Sequence, residues 1–170
     1  FYKIQRLCQS KAQEEVLRKM GQRCDWLGLP ISQTNIQKKD ENVGSFLMVS
    51  ELINIELARV VSNILYGGVK IKKNVRNLEN LSLKNVSIDT VDRFEFPEDL
   101  LTAEAFVLLT DSPVRGSGWF AEAVKFGIPL ILVTSEQQNV FEGTFPGYPY
   151  VKGDKITSQR ELKFELAKIR

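Results

Sequence analysis

The chain has 170 residues, 43% apolar and 26% charged, with a formal net charge of +2. That is enough for one domain with a real core and a modest appendage, and too nearly neutral for whole-molecule attraction to nucleic acid. It has no histidine, which removes the commonest general base and metal ligand, and with them the Ser-His-Asp and Cys-His nucleophile pairs.

Cys8 and Cys24 are too few and too far apart for a zinc site or a disulfide framework, so a reducing compartment is expected. No apolar run is long enough to span a bilayer, and no membrane partner is expected. The chain opens on Phe1 without an initiator Met. A processed targeting peptide, an imposed boundary or an unordered start each accounts for that.

From the amino terminus, Ile4, Leu7, Val16, Leu17, Met20, Cys24 and Leu27 approximate a helical stripe over residues 3–27. Lys3, Arg6, Lys11, Arg18, Lys19 and Arg23 lie among them, as a solvated face or as an extension lying on RNA or on a partner. Pro30 ends this region, and residues 31–42 read as a polar loop containing Lys38 and Lys39. The division expected is a helical extension and loop over 1–42 and an α/β domain over 43–170.

Phe46–Val49 reads as a strand and Ser50–Leu65 as the following helix, closed by Gly67 and Gly68. Val69–Ile71 reads as a further short strand. Residues 70–86 form the most basic stretch, with Lys70, Lys72, Lys73, Arg76 and Lys84 among four asparagines. A loop of this composition suits phosphate and sugar contacts, although Lys-Asn loops are also common on plain surfaces. Phe94 and Phe96 are expected as anchors in a polar segment, and Pro97-Glu98-Asp99 as a helix start.

The chain is organised around residues 104–133. A buried strand at Phe106–Leu109 leads through a polar turn to a helix over Trp119–Phe126. Gly127 can close that helix in the left-handed conformation, Pro129 prevents its continuation, and Leu130–Val133 is a second buried strand. Strand, helix and strand in this order predict a right-handed crossover onto a parallel sheet. With the earlier unit they predict an α/β fold, a Rossmann-like parallel sheet flanked by helices, with an added N-terminal helical extension. Residues 136–153 read as an aromatic loop, and Ser158–Glu161 as a capping box opening the last helix, Leu162–Ile169.

Chemistry is expected first at the turn before Trp119. Arg115, Gly116, Ser117 and Gly118 follow the carboxyl end of a parallel strand and precede a helix, where backbone N–H groups favour anions. Their spacing is neither the P-loop nor the dinucleotide fingerprint, so the glycines can equally just make the turn. Glu122 would serve a ribose or a reaction only with a partner, for which Asp111 is the nearby candidate. Trp119 and Phe120 are expected as core or interface anchors rather than stacking platforms.

The segment Glu122-Ala123 followed by Gly127-Ile128-Pro129 and an apolar strand resembles two families. One is the nucleotide-sugar glycosyltransferases with two Rossmann-like halves. The other is the S two family of small-subunit ribosomal proteins, which it resembles over more of its length. The further matching pieces are Leu108–Asp111, Tyr148-Pro149-Tyr150 through Gly153-Asp154, the terminal helix, and upstream Gly44–Val49. The basic stretch from Lys70 to Asn80 falls where that family has one near RNA. The likeness runs in order over roughly residues 44–170. Departures are the turn between Asp111 and Glu122, an incomplete Asn-Asp pair near Gly153-Asp154, a missing Trp in Lys70–Asn80, and an unmatched amino-terminal region.

The ribosomal resemblance implies a divergent organellar, mitochondrial matrix protein bound in the ribosome. It implies a structural constituent of the small subunit, with no catalysis, no cofactor and no metal. Its partners would be ribosomal RNA of the small subunit and neighbouring small-subunit proteins. RNA contacts would fall to Lys38, Lys39, Lys70, Lys72, Lys73, Arg76 and Lys84. The glycosyltransferase resemblance implies instead the carboxyl-terminal half of an enzyme, with Arg115–Gly118 and Glu122 holding a nucleotide sugar. A noncatalytic nucleotide-binding regulator is a third expectation, to which no specific motif points.

Overall fold

The computed structural model describes residues 7–8, 11–22, 25–26, 45–95, 98–110 and 118–169. Its centre is a six-stranded, wholly parallel sheet made of β3 (Ser45–Met48), β4 (Gly68–Lys72), β5 (Ser87–Val91), β6 (Ala103–Leu108), β7 (Leu130–Leu132) and β8 (Val151–Lys152). Across the sheet the order is β5-β4-β3-β6-β7-β8. Two half-sheets therefore run outward from β3 and β6, which is the doubly wound, Rossmann-like α/β arrangement. The expected fold class is the observed one.

β6 is buried at every position and β7 likewise, as strands covered on both faces must be. Alternate residues feed two cores. Phe46, Met48, Val69, Ile71, Val107 and Ile131 face one side, covered by helices α2 (Ile55–Ser62) and α6 (Gln159–Ile169). Leu47, Val49, Phe106, Leu108, Leu130 and Leu132 face the other, covered by α4 (Gly118–Phe126) and α5 (Ser135–Thr144). The short α3 (Glu98–Thr102) leads into β6. Gly127 closes α4 at φ +65°, as its position predicts.

Several local expectations are corrected. The helix expected over 50–65 is shorter, because Asn54 caps α2 and Ser50–Ile53 form a connection. It ends at Ser62 with Asn63 as its cap, before Gly67. The basic stretch is not simply loop: Lys70 and Lys72 lie inside β4, and β5 follows at Ser87–Val91. Instead of an α-helix, the β4-to-β5 connection uses a 3-10 turn at Leu78–Asn80, with Asn77 and Asn85 at positive φ. Much of the expected aromatic loop is helix α5, opened by a capping box between Thr134 and Gln137.

At the amino terminus the described helix is α1 (Lys11–Lys19), which contacts α5. Flanking it, β1 (Leu7–Cys8) and β2 (Asp25–Trp26) pair in parallel. The continuous helix expected over 3–27 is thus interrupted by two short strands.

Candidate functional site

In a doubly wound sheet the crevice between the two central strands, at their carboxyl ends, is the expected ligand site. Here the connection from β3 to α2 is bonded across to the end of β6. Val49 N donates to Val107 O at 3.0 Å and Asn54 N to Leu109 O at 2.8 Å, while Ser50 Oγ accepts from Leu109 N at 2.8 Å. On its other side the same connection meets the segment after β4. Arg76 N donates to Glu51 O at 3.1 Å, and Ile53 N to Arg76 O at 3.0 Å. The N-terminus of α2 is also occupied: Asn54 Oδ1 accepts from Glu56 N at 2.9 Å and from Leu57 N at 3.2 Å. Those N–H groups would otherwise face a phosphate. No glycine lies between Val49 and Asn54 to let a phosphate approach the backbone.

On the far half of the sheet, Gln137 ties the next pair of strand tips. Its Oε1 accepts from Val133 N at 2.8 Å and Thr134 N at 3.2 Å. Its Nε2 donates to Leu108 O at 3.2 Å and Thr110 O at 2.8 Å.

Open space remains beside these contacts. A half-open cleft of about 400 Å³ sits over the tips of β3 and β4, floored by Met48 and Val49. Phe94, which follows β5, and Trp119, in the first turn of α4, wall it. Trp119 meets Phe94 edge-on at 5.5 Å and Phe106 at 5.4 Å between centroids, so the wall is anchored in the core. Lys72 Nζ lies over both rings, 5.5 Å from Phe94 and 5.6 Å from Trp119. The rings hold the ammonium by their π faces. Arg76, Asn74 and Glu51 complete the polar lining.

The expected basic residues therefore separate. Lys72 and Arg76 come together at the cleft, whereas Lys73 is not among its lining residues and pairs with Asp92 at 3.4 Å, both side chains exposed. Lys70 turns to Asp99, 2.5 Å away, and is engaged there. Lys84 is exposed, three residues before β5, where its backbone N–H donates to Ser62 Oγ at 2.9 Å. That places it at the amino ends of the strands, opposite the cleft. Lys38, Lys39, Arg115, Gly116 and Ser117 lie outside the described residues. Gly118 begins α4, and Glu122 is half-buried on it.

Acid–base chemistry has little to work with in the cleft. Among the described residues Glu51 is the one carboxylate that lines it. Burial raises the pKa of Tyr148, and burial followed by the Glu142 carboxylate raises that of Tyr150. Backbone and side-chain donation from Thr157 lowers that of Glu161. None of these three lines the cleft. Among the described residues no three His, Cys, Asp or Glu side chains gather as a metal site, and no helix is long and apolar enough to cross a membrane.

Sequence reading finds Lys72, Arg76, Phe94 and Trp119 but not their meeting. It counts Asn74 among the asparagines of the basic stretch and passes over Glu51, whose signal is position: it lies three residues past the end of β3.

No family profile matches the chain, and no curated protein matches it. A solved structure similar to it is the glycosyltransferase SnogD from Streptomyces nogalater, at TM-score 0.42 and 14% identity. The alignment covers 95% of this chain and 50% of that one, so the chain spans about half of that protein's length. At that similarity the likeness carries no functional argument.

Proposed function

We propose that the chain is a noncatalytic α/β constituent of a small ribosomal subunit of organellar, mitochondrial type, contacting RNA and neighbouring proteins. The observation that carries this reading is the set of hydrogen bonds joining the β3-to-α2 connection to the end of β6, with N–H groups in the first turn of α2 already capped by Asn54. Those N–H groups are then not available to a phosphate. The cations that remain at the strand tips, Lys72, Lys73 and Arg76, stand where a phosphate backbone can neutralise them. The in-order resemblance to the S two family supplies the particular assembly.

The test is sedimentation of the native protein from organelle lysate at low and high salt. Co-migration with small subunits, abolished by ribonuclease, is the expected result; migration as a free protein overturns the reading. In the same gradients, replacing Lys72 and Lys73 together with Ala should weaken incorporation, and by more at low salt than at high salt.

A further inference from the structure

We propose that the cleft over β3 and β4 takes one unstacked nucleotide of single-stranded RNA, with its phosphate against Lys72 and Arg76 and its base along the Trp119 wall. This rests on the RNA-binding reading above and deepens it.

Four observations carry the assignment. First, the lining combines an apolar part, Met48, Val49 and the Phe94–Trp119 wall, with a polar rim, as a base joined to a phosphate requires. Second, among the described residues the rim carries two cations, Lys72 and Arg76, and one carboxylate, a balance that favours an anion. Glu51 is left to accept from a ribose 2′-hydroxyl or an exocyclic amine, and Asn74 can both donate and accept at a base edge. Third, Lys72 is held in advance by the two rings, so little side-chain freedom is lost on contact. Fourth, about 400 Å³ lies at the small end of ligand sites, far larger than a lone phosphate. Because the cleft is half-open, a bound nucleotide can remain joined to the rest of a polymer.

The phosphate-plus-base chemistry is shared by RNA and by free nucleotides, and the experiment separates them. Trp119 is one of two tryptophans, so Trp26→Phe leaves it as the sole reporter. The full chain carrying that change is titrated at low salt with single-stranded RNA hexamers, with a blunt RNA duplex, and with AMP and UMP. Anisotropy of labelled RNA follows overall binding in parallel.

The expected result is quenching of Trp119 by the hexamers and not by the duplex. Lys72→Gln and Arg76→Gln should each weaken the hexamer by about five- to twentyfold, with a smaller salt slope and unchanged circular dichroism. Hexamers that bind by anisotropy without altering Trp119 emission, and equally well in both variants, overturn the cleft assignment and leave the ribosomal reading standing. Quenching by AMP or UMP with no binding of any RNA supports a nucleotide cleft and overturns the ribosomal reading. Absence of all binding overturns both.

Discussion

Lys70 Nζ donates to Asp99 Oδ1 across 2.5 Å, joining the middle of β4 to the first turn of α3. Asp99 is buried, and its other oxygen accepts from Glu95 N at 2.6 Å. The pair explains why one lysine of the basic stretch is withdrawn from the surface while Lys72, two residues on, stays at the cleft. Asp99→Ala removes both contacts and leaves the Lys70 ammonium, already partly exposed, to water. The expected loss is about 1–3 kcal/mol, below the range for fully buried pairs, read as a shift of the urea midpoint. Lys70→Met, which keeps the stem but strands the carboxylate, should cost at least as much as Asp99→Asn.

Gln137 is buried and makes four hydrogen bonds at the tips of β6 and β7. Gln137→Leu matches its volume but leaves those backbone groups unpaired. A destabilisation of about 2–4 kcal/mol is expected in chemical denaturation. Hydrogen exchange at Val133 and Thr134 should accelerate together with it; exchange unchanged there would mean other donors had replaced the amide.

Asn54 caps α2 and ties its first turn to Leu109 through the backbone. Asn54→Ala should cost about 1 kcal/mol, and Asn54→Asp close to nothing, because a carboxylate accepts the same two N–H groups. Thermal melts of the two variants check the ordering.

Glu161 supplies a pH dependence. Its carboxylate accepts from Thr157 N at 2.8 Å and Thr157 Oγ1 at 3.0 Å, which lowers its pKa below the ordinary glutamate value of 4.5. A depressed folded-state pKa contributes stability that is present above the unfolded value and lost as pH falls through the folded one. The wild type should therefore lose stability below about pH 4.5 more steeply than Glu161→Gln, measured by urea midpoints from neutral pH downward. Parallel curves for the two proteins would mean that the contact does not discriminate between charged and neutral carboxyl.

The half of the sheet from β6 to β7 was readable from the sequence because its signals are local and agree. Strands buried on both faces are continuously apolar, Gly127 carries the turn, and Pro129 forbids helix. β5 was not readable, since Ser87–Asp89 are exposed on an edge strand and show no alternation. Helix α5 was hidden by the aromatic, Pro- and Gly-rich run from Phe145 to Tyr150 that follows it, although Thr134 and Gln137 carried a capping-box spacing in plain view. At the site, residue types were legible but distances were not. That Lys70 turns to Asp99 while Lys72 lies over Phe94 and Trp119 depends on where α3 and α4 pack, which no local pattern records.

The two central strands are neighbours in space but not in sequence: Ser50, just past β3, bonds to Leu109, just past β6, across 59 residues. During synthesis β3, α2, β4 and β5 emerge long before the strand that must cover the inner edge of β3. Until β6 arrives, that edge presents open backbone groups beside Phe46 and Leu47, which are completely or almost completely buried in the finished fold. Such an interval favours slow closure and sticking to other chains, so a nascent chain that pauses before residue 103 is the one most in need of a chaperone.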